Sequence, residues 1–333
     1  MDFQGCRSEL SPRTATHVSG GTYPVMTNGQ VVREQSARLG LVAHLRRFAR
    51  RTPDDKRQIV RLRAKRIWNR VFPGVPLPVP LPFGGWWLAR NDLNGDMVFG
   101  GRYEEAERRF VELWLRPGMA VLDIGAHHGF YTLLASRKVG STGSVVAFEP
   151  SPRERKRLLT HLRINRCKNV RIESLALGDA NGEADFFIVD GRGTGLNSLR
   201  RPSSDEPIDI VTVPVMTLDD YLRLTHSTAI DFIKMDVEGA ELTVLKGGAA
   251  LLARRPRPII LCEVEDARTK PWGYEAQEII EFLLHLGYGW FLPLQEGRLV
   301  PLPFGKVNSE RDLVAIPSEL QNEVMEAGLI ELR

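Results

Sequence analysis

The sequence predicts an α/β fold with a mostly parallel sheet, helices on both faces and an antiparallel strand at its C-terminal end. From Met119 onward, short apolar runs alternate with helical segments, which is the pattern of a parallel sheet covered on both sides. A glycine-containing turn follows the first apolar run, and acidic residues follow several of the others. Open sheets of this class bind ligands beyond the carboxyl ends of their strands, so these residues mark the predicted site.

The first 95 residues differ in charge from the remainder. They contain 16 Lys and Arg against 6 Asp and Glu, a net charge of +10, whereas residues 96–333 contain 29 against 35, a net charge of −6. We therefore predict three parts: a flexible segment over residues 1–40, a basic helical arm with a Pro-rich connector over residues 41–95, and a catalytic domain over residues 96–333.

A basic helix is predicted to begin at Thr52-Pro53-Asp54-Asp55, where a capping hydroxyl precedes proline and two acids. Its apolar residues keep helical spacing, and Arg57, Arg61, Lys65 and Arg66 occupy much of the remaining surface. The apolar residues are Val60, Ala64, Ile67, Trp68 and Val71. Two interpretations stay open: a solvated helix packed on the body, or a helix that docks on an anionic membrane or a polyanion.

The uncharged stretch Val71–Ala89 is nearly long enough to span a bilayer, but it contains five prolines. Prolines would leave backbone groups unsatisfied in lipid, so we expect an extended, polyproline-like connector. The start of the chain lacks the basic-then-apolar order of a secretory signal, and Cys6, Cys167 and Cys262 form no CxxC pair. A cytoplasmic protein is expected, with any membrane contact peripheral and on the inner face.

Five apolar runs are predicted to form the parallel strands: Val121–Ile124, Val145–Glu149, Val170–Ser174, Ile230–Met235 and Ile259–Val264. Segments after Ala184 and around Ile208–Val215 are typical of an inserted hairpin. Leu313–Pro317 is predicted to be the closing antiparallel strand.

The turn after the first strand is predicted to hold a nucleoside cofactor. Its glycines leave room for a ligand beside the backbone, and Glu149 at the end of the second strand is placed to accept hydrogen bonds from ribose hydroxyls. The predicted cofactor-binding residues are Asp123, Gly125, Ala126, His127, Gly129, Glu149, Pro150 and Ala176.

Two cofactors compete for this turn, because a nicotinamide dinucleotide and S-adenosylmethionine both present a ribose to Glu149. A dinucleotide usually requires G-x-G-x-x-G under its pyrophosphate, and the turn Gly125–Gly129 lacks that spacing. Asp123 would repel a pyrophosphate, whereas it suits the ammonium group of S-adenosylmethionine. The turn therefore favours S-adenosylmethionine.

Charged residues at the end of the fourth strand are predicted to serve the acceptor. Lys234 and Asp236 share one face of the strand, and Asp236 and Glu238 are candidates for acceptor binding or general-base work. The alternative is a structural Lys–Asp ion pair with Glu238 at the start of the next helix. Glu263 and Glu265 could in principle join Asp236 around a divalent cation, but no spacing demands one and no metal ligand is predicted.

Taken together, these motifs resemble the FkbM family of methyltransferases over roughly Tyr103 to Pro317. The similar segments are VLDIGAHHGFYT at Val121–Thr132, FEP at Phe148–Pro150, ALGD at Ala176–Asp179, TLDDYL at Thr217–Leu222 and IKMDVEGAELTVLKG at Ile233–Gly247. The resemblance implies a Rossmann-like class I methyltransferase fold, S-adenosylmethionine as cofactor, and a hydroxyl acceptor on a sugar, a glycolipid or a polyketide-like product.

The resemblance also implies roles for individual residues. Asp123, Gly125 and Gly129 would line the methionine and ribose end of the cofactor, Glu149 would hold the ribose hydroxyls, and Ala176 would border adenine. Asp236 and Glu238 would face the acceptor. The family pattern often has Asn at the position of His127.

The sequence thus predicts an S-adenosylmethionine-dependent O-methyltransferase acting on a small-molecule, glycan or lipid-linked hydroxyl. A nicotinamide-dependent oxidoreductase and a catalytically silent nucleoside-binding protein are the alternatives. Nucleic acid is not expected as a partner, because the catalytic part is acidic and lacks the Asn/Asp-Pro-Pro-aromatic and Pro-Cys motifs of base methylation.

Overall fold

The computed structural model describes residues 53–101, 103–227, 229–302 and 311–331. The chain divides into two units, Met1–Lys56 and Arg57–Arg333. The flexible segment predicted over residues 1–40, the start of the basic arm and the predicted cap Thr52 lie outside the described residues.

Thirteen strands and eleven α-helices make up the described part. The strands are β1 (Leu77–Pro80), β2 (Trp86–Ala89), β3 (Ala120–Ile124), β4 (Ser144–Phe148), β5 (Val170–Glu173), β6 (Ala176–Gly178), β7 (Gly182–Val189), β8 (Ile208–Thr217), β9 (Phe232–Met235), β10 (Ile259–Val264), β11 (Tyr288–Pro293), β12 (Leu299–Pro301) and β13 (Arg311–Pro317). The helices are α1 (Pro53–Val71), α2 (Leu93–Gly100), α3 (Glu105–Trp114), α4 (Phe130–Val139), α5 (Pro152–Ile164), α6 (Leu218–Leu224), α7 (Glu241–Gly247), α8 (Ala249–Ala253), α9 (Asp266–Thr269), α10 (Ala276–His285) and α11 (Gln321–Glu326).

Eight strands form the central sheet in the order β12-β11-β13-β10-β9-β3-β4-β5. The run from β10 to β5 is parallel, and β13 lies antiparallel against β10. The predicted fold class is therefore confirmed: the sheet is mostly parallel and has an antiparallel C-terminal strand. The predicted hairpin is also present, since β7 pairs antiparallel with β8 in a separate three-stranded sheet.

Side chains alternate between the two faces of the central sheet, as the pleat requires. Val121 of β3 packs on one face, in a core that includes Leu133 and Leu134 of α4. Leu122 and Ile124 pack on the other face, in a second core with residues of α6, α7 and α10. Both faces are thus covered by helices, which explains why the sequence shows continuous apolar runs in these strands.

The Pro-rich connector is a β-hairpin, so the expected polyproline-like conformation is wrong. Strand β1 pairs antiparallel with β2 in a two-stranded sheet, which tolerates Pro78 and Pro80 because an edge strand leaves one row of N–H groups unused. Trp87 is buried and stacks on His161 of α5 with 4.0 Å between ring centroids. The hairpin is therefore packed against the body.

Helix α1 begins at Pro53, as predicted, and it does not use its apolar stripe to contact the described remainder of the protein. Val60 and Ile67 are exposed, whereas Lys65 is fully buried and pairs with Asp96 at 2.6 Å. In the part of the chain that the structure describes, no helix combines the length and apolar character needed to cross a bilayer.

Candidate functional site

A cavity of about 310 Å³ opens where the parallel strands β3, β4, β9 and β10 end. The carboxyl ends of these strands meet at one edge of the sheet, and the residues that follow each strand line the cavity walls. Helix α2 and the 3-10 turn Thr194–Leu196 close the opposite side.

The turn after β3 touches the segment after β9. Gly125 has a φ of +82°, and a Cβ there would lie only 1.8 Å from the backbone oxygen of Asp236. The Asp236 amide also donates a 2.9 Å hydrogen bond to the oxygen of Ile124. The missing side chain at Gly125 thus makes room for the chain's own backbone, so the turn after β3 lies directly against the segment that begins at Asp236.

Asp123 lies at the base of this turn and is buried. Its Oδ2 accepts a short hydrogen bond from the Thr132 hydroxyl. Burial raises the pKa of Asp123 to about 6, although the Thr132 hydrogen bond acts in the opposite direction. A cationic ligand group beside this carboxylate would stabilise its ionised form.

Glu149 and His127 are held together at the end of β4. The His127 amide donates to Glu149 Oε2 at 2.7 Å, and the Ser151 amide donates to Oε1 at 2.8 Å. Burial raises the pKa of Glu149 to about 8. Burial and then the adjacent His128 lower the pKa of His127, so its ring is neutral. The His127 Nδ1 atom lies 2.8 Å from the Asn94 amide nitrogen, which makes Nδ1 the acceptor.

Apolar side chains complete the wall beyond Glu149. Phe148, Pro150 and Ala176 line the cavity, with Leu175 and Leu177 on either side of Ala176. A flat aromatic ring system would find an apolar surface here. Gly129 is placed differently: it is the N-cap of α4, and a Cβ there would meet Leu158 rather than the cavity.

The far end of the cavity is charged. Lys234 is buried with its Nζ 3.7 Å from Asp236 Oδ2 and 3.4 Å from Asp312 Oδ2. Burial alone would lower the pKa of Lys234, but these carboxylates and Glu104 raise it overall. Its ammonium group therefore stays charged, while the Asp236 carboxylate is 37% exposed and accessible from the cavity.

Glu238 and Glu263 share the guanidinium of Arg268. Arg268 Nη1 lies 3.1 Å from Glu238 Oε2, and its Nε lies 3.9 Å from Glu263 Oε1. Oxygen atoms of Asp236, Glu238 and Glu263 lie within 4.8 Å of one another. Burial and then Asp236 raise the pKa of both glutamates. These carboxyls therefore hold protons more readily than exposed ones.

Glu104, which precedes α3, completes this end of the cavity. Its Oε2 atom is buried and has no hydrogen-bond partner among the described residues, and the same holds for Glu263 Oε2. Burial and then the neighbouring Asp312 and Asp236 raise the pKa of Glu104, while Lys234 opposes them. The hydroxyls of Tyr103 and Tyr131 interact with Glu104, but one carboxyl oxygen of Glu104 and one of Glu263 have no close donor among the described residues.

The structure brings nearly all predicted site residues to one cavity. Asp123, Gly125, Ala126, His127, Glu149, Pro150 and Ala176 line one end, and Lys234, Asp236 and Glu238 line the other. Gly129 stands behind the wall. The sequence also allowed a purely structural role for Lys234 and Asp236 as an ion pair. This pair is present, and the same two residues line the cavity.

Sequence reasoning missed Glu104, Arg268 and Asp312. Glu104 had no usable signal, because it precedes an ordinary amphipathic helix far from the other site residues. Asp312 could have been found: the predicted closing strand pairs with β10, and this register sets Asp312 opposite Glu263. Arg268 could have been suspected from the acids Glu263 and Glu265, which need a counter-charge when buried.

A model of the methyltransferase FkbM domain matches residues 123–289, about half of the chain. This range contains the cofactor turn, Glu149 and the acidic segment after β9. It begins at Asp123, so Glu104 and the N-terminal arm lie outside the matched range, and it ends within β11.

Two relatives are named methyltransferases. The chain is 28% identical over 165 residues to the 2-O-methyltransferase NoeI of Sinorhizobium fredii, covering 45% of this chain and 65% of that protein. It is 27% identical over 143 residues to Methyltransferase 1 of Beauveria bassiana, covering 38% of this chain and 57% of that protein. The matches thus span about three fifths of each relative's length.

Among solved structures, the chain is similar to an O-methyltransferase from Bacillus cereus in complex with SAH. The sequence identity is 12%, the match covers 65% of this chain and 81% of that chain, and the TM-score is 0.37.

Proposed function

Because the chain belongs to the FkbM family of S-adenosylmethionine-dependent methyltransferases, we propose that it methylates a hydroxyl oxygen of a sugar, glycolipid or secondary-metabolite acceptor. The observation that carries this proposal is the charged end of the cavity, where Asp236 is accessible and two buried carboxyl oxygens lack donors. Hydroxyl groups both donate and accept hydrogen bonds, so an acceptor rich in O–H groups suits these carboxyls in either protonation state. The 2-O-methyltransferase among the relatives supports the same chemistry.

The residues at the opposite end fit S-adenosylmethionine. Asp123 would face the ammonium group, Glu149 would accept hydrogen bonds from the ribose, and the wall around Ala176 would cover adenine. When bound, this cofactor supplies a methyl group attached to a positively charged sulfur. The cations that line the cavity, Lys234 and Arg268, belong to the far end, so a pyrophosphate in the turn would face carboxylates. This arrangement disfavours the nicotinamide alternative.

Asp236 is our candidate for the general base. Its carboxylate is the accessible member of the pair with Lys234, and Gly125 and Ile124 hold its backbone against the cofactor turn. It would take the hydroxyl proton as the oxygen–carbon bond forms, a contribution typically worth about 10²–10⁴-fold. Alignment of the oxygen with the methyl group would supply a further ~7–11 kcal/mol in favourable cases.

Glu238 has a different proposed role. Because its pKa is raised, its carboxyl favours the protonated form, in which it donates a hydrogen bond to an acceptor oxygen rather than removing a proton. Lys234 would act as a positioning residue that keeps Asp236 in place through its ion pair.

The test uses S-adenosylmethionine labelled in its methyl group and an extract of the cells that make this protein. We expect label in a polar small molecule, glycan or glycolipid, and we expect the label to resist mild alkali as a methyl ether does. Label released by alkali would indicate a carboxyl acceptor, and label in protein or nucleic acid would contradict the proposal.

Two variants test the assignment of the base. Asp236→Asn should lower turnover by about 10²-fold or more, while calorimetry shows unchanged binding of S-adenosylhomocysteine. Glu238→Gln should keep most of the turnover at neutral pH, because glutamine mimics the protonated carboxyl. Asp209→Asn, on the exposed surface of β8, is the control. If Glu238→Gln loses turnover and Asp236→Asn does not, the two roles are reversed.

A further inference from the structure

Helix α1 turns its apolar side away from the described remainder of the protein. Val60 is 60% exposed, Ile67 is 64% exposed and Val71 is 59% exposed. At about 100° per residue, these three side chains fall within roughly 40° of one another around the helix. Phe72 and Val75, which follow the helix, are also exposed. A soluble helix normally packs such a stripe against the core.

Polar contacts fix the helix in this orientation. The buried ammonium of Lys65 lies 2.6 Å from Asp96 Oδ1, and Asp96 Oδ2 pairs in turn with Arg192 at 2.5 Å. On the next turn, the Asn69 amide donates to Asn91 Oδ1 at 3.3 Å. A rotation of the helix that buried Ile67 would separate Lys65 from Asp96. The packing of the polar side therefore keeps the apolar side exposed.

Arginines lie beside the exposed apolar residues. Arg63, Arg66 and Arg70 are exposed and have no ion-pair or hydrogen-bond partner among the described residues. Between residues 57 and 71 the sequence contains six Lys and Arg and no acid. With the helical spacing, Arg63 and Arg70 border the apolar residues on one side.

We propose that the outer face of α1, formed by Val60, Arg63, Ile67, Arg70 and Val71, docks on an anionic lipid surface. An interfacial helix lies in the membrane plane, with apolar residues at the acyl boundary and cationic residues at the lipid phosphates. The inferred contact is peripheral. It goes beyond methyl transfer and does not depend on which acceptor is used.

The combination of charge and apolar surface distinguishes this partner from others. A second copy of the same face would bring arginines against arginines, which is unfavourable. A polyanion such as nucleic acid would pair with the arginines but would leave Val60, Ile67 and Val71 in water. An anionic bilayer satisfies both sets of side chains, since it offers negative headgroups above an apolar interior.

The test is co-sedimentation of the full chain with vesicles of phosphatidylcholine, with or without phosphatidylserine, in the absence of cofactor. The protein should pellet with the anionic vesicles, and added salt should release it because salt screens the phosphate charges. Ile67→Asp should abolish most of the binding. The double variant Arg63→Gln and Arg70→Gln should weaken binding by roughly 25-fold, about fivefold per cation.

Leu224→Asp is the matched control, because Leu224 is an apolar residue at the end of another helix and is 59% exposed, close to the 64% of Ile67. It should bind vesicles as the wild type does, and all variants should keep the wild-type melting temperature. Equal binding by every variant, or no binding by the wild type, would overturn the proposal. If Ile67→Asp instead turned a dimer into a monomer, or lowered the melting temperature without vesicle binding, the face would be covered by a second copy or by the chain itself.

Discussion

At the scale of single residues, three side chains on the cavity wall sit on backbone that most residues avoid. Glu104 has a φ of +40°, His127 of +48° and Glu238 of +55°. Left-handed conformations of non-glycine residues are uncommon and tend to be retained where function holds them in place. Histidine tolerates this region better than most side chains, which suits the conformation of His127.

Glu149 illustrates how one carboxylate serves both the fold and the proposed cofactor. Each of its oxygens already accepts a backbone N–H, and its raised pKa shows that these two bonds do not fully offset burial. Ribose hydroxyls would add the donors that the ionised carboxylate lacks. The residue should therefore matter to ligand binding beyond its effect on the fold.

We expect Glu149→Ala to weaken binding of S-adenosylhomocysteine by about 1.5–3 kcal/mol, or roughly 10- to 150-fold, in calorimetry. The melting temperature should fall as well, because two backbone N–H groups lose their acceptor. Asp219→Ala is the matched control, since Asp219 also accepts two backbone N–H groups, from Ala250 and Leu251, but lies away from the cavity. Equal loss of affinity in both variants would assign Glu149 a structural role only.

At the scale of elements, the parallel strands were the most predictable part. Their apolar runs are buried on both sides, so the pattern that defines a strand is also the pattern that packs it. The predicted Val121–Ile124 and Ile259–Val264 agree with β3 and β10 to within one residue. Strands β11 and β12 were not predicted. They join the sheet beyond its antiparallel strand β13, and their sequences lack the continuous apolar run that marks the parallel strands.

Helix α1 shows what the periodicity of apolar residues cannot predict. The spacing of apolar residues correctly indicates a helix, but it does not say which side faces the protein. That choice depends on Asp96, which pairs with the buried Lys65 and comes 31 residues later in the chain. Contacts of this kind depend on the tertiary fold, so the sequence pattern alone does not determine which side faces the protein.

The contact between the turn after β3 and the end of β9 predicts an effect of Gly125→Ala. The new Cβ would overlap the Asp236 oxygen, so we expect displacement of Asp236, loss of turnover and a lower free energy of unfolding in urea denaturation. Gly118→Ala is the control for backbone strain, because Gly118 has a φ of +94° and its added Cβ would have Thr142 Oγ1 as its nearest contact, at 3.9 Å.

We expect Gly118→Ala to lower the free energy of unfolding by about 1–2 kcal/mol, the cost of a left-handed non-glycine residue, with turnover unchanged. The loss for Gly125→Ala should exceed this value. If the two variants lose equal stability and both keep full turnover, the close approach of the two segments does not position Asp236.

At the scale of the whole molecule, chain topology decides how much of the site can be predicted. Parallel strands bring their carboxyl ends to one edge, so Glu149, Asp236 and Glu263 could be expected to lie near each other from strand positions alone. Glu104 and Asp312 reach the same edge from a helix start and from an antiparallel strand. The charged end was therefore predicted with fewer acids than it has.

This concentration of acids predicts how stability changes with pH. Burial and the nearby Asp236 and Glu238 raise the pKa of Glu263 above its ordinary value of 4.5. In the unfolded chain the carboxyl ionises above that pH, while in the folded protein the protonated form is favoured. Folding therefore binds a proton, and the contribution of Glu263 to stability falls as pH rises from 4.5.

Glu263→Gln removes the ionisation and should raise the melting temperature progressively between pH 5 and pH 9, with little change near pH 4.5. Glu319→Gln should show the opposite sign. Arg257 holds the pKa of Glu319 at about 2, so its ionised form stabilises the fold above pH 4.5 and this contribution is lost as pH falls toward 2. Circular dichroism melts across this range measure both effects. Melting curves for Glu263→Gln that parallel the wild type at every pH would mean that Glu263 ionises in the folded protein as it does in the unfolded chain, with Arg268 offsetting its burial.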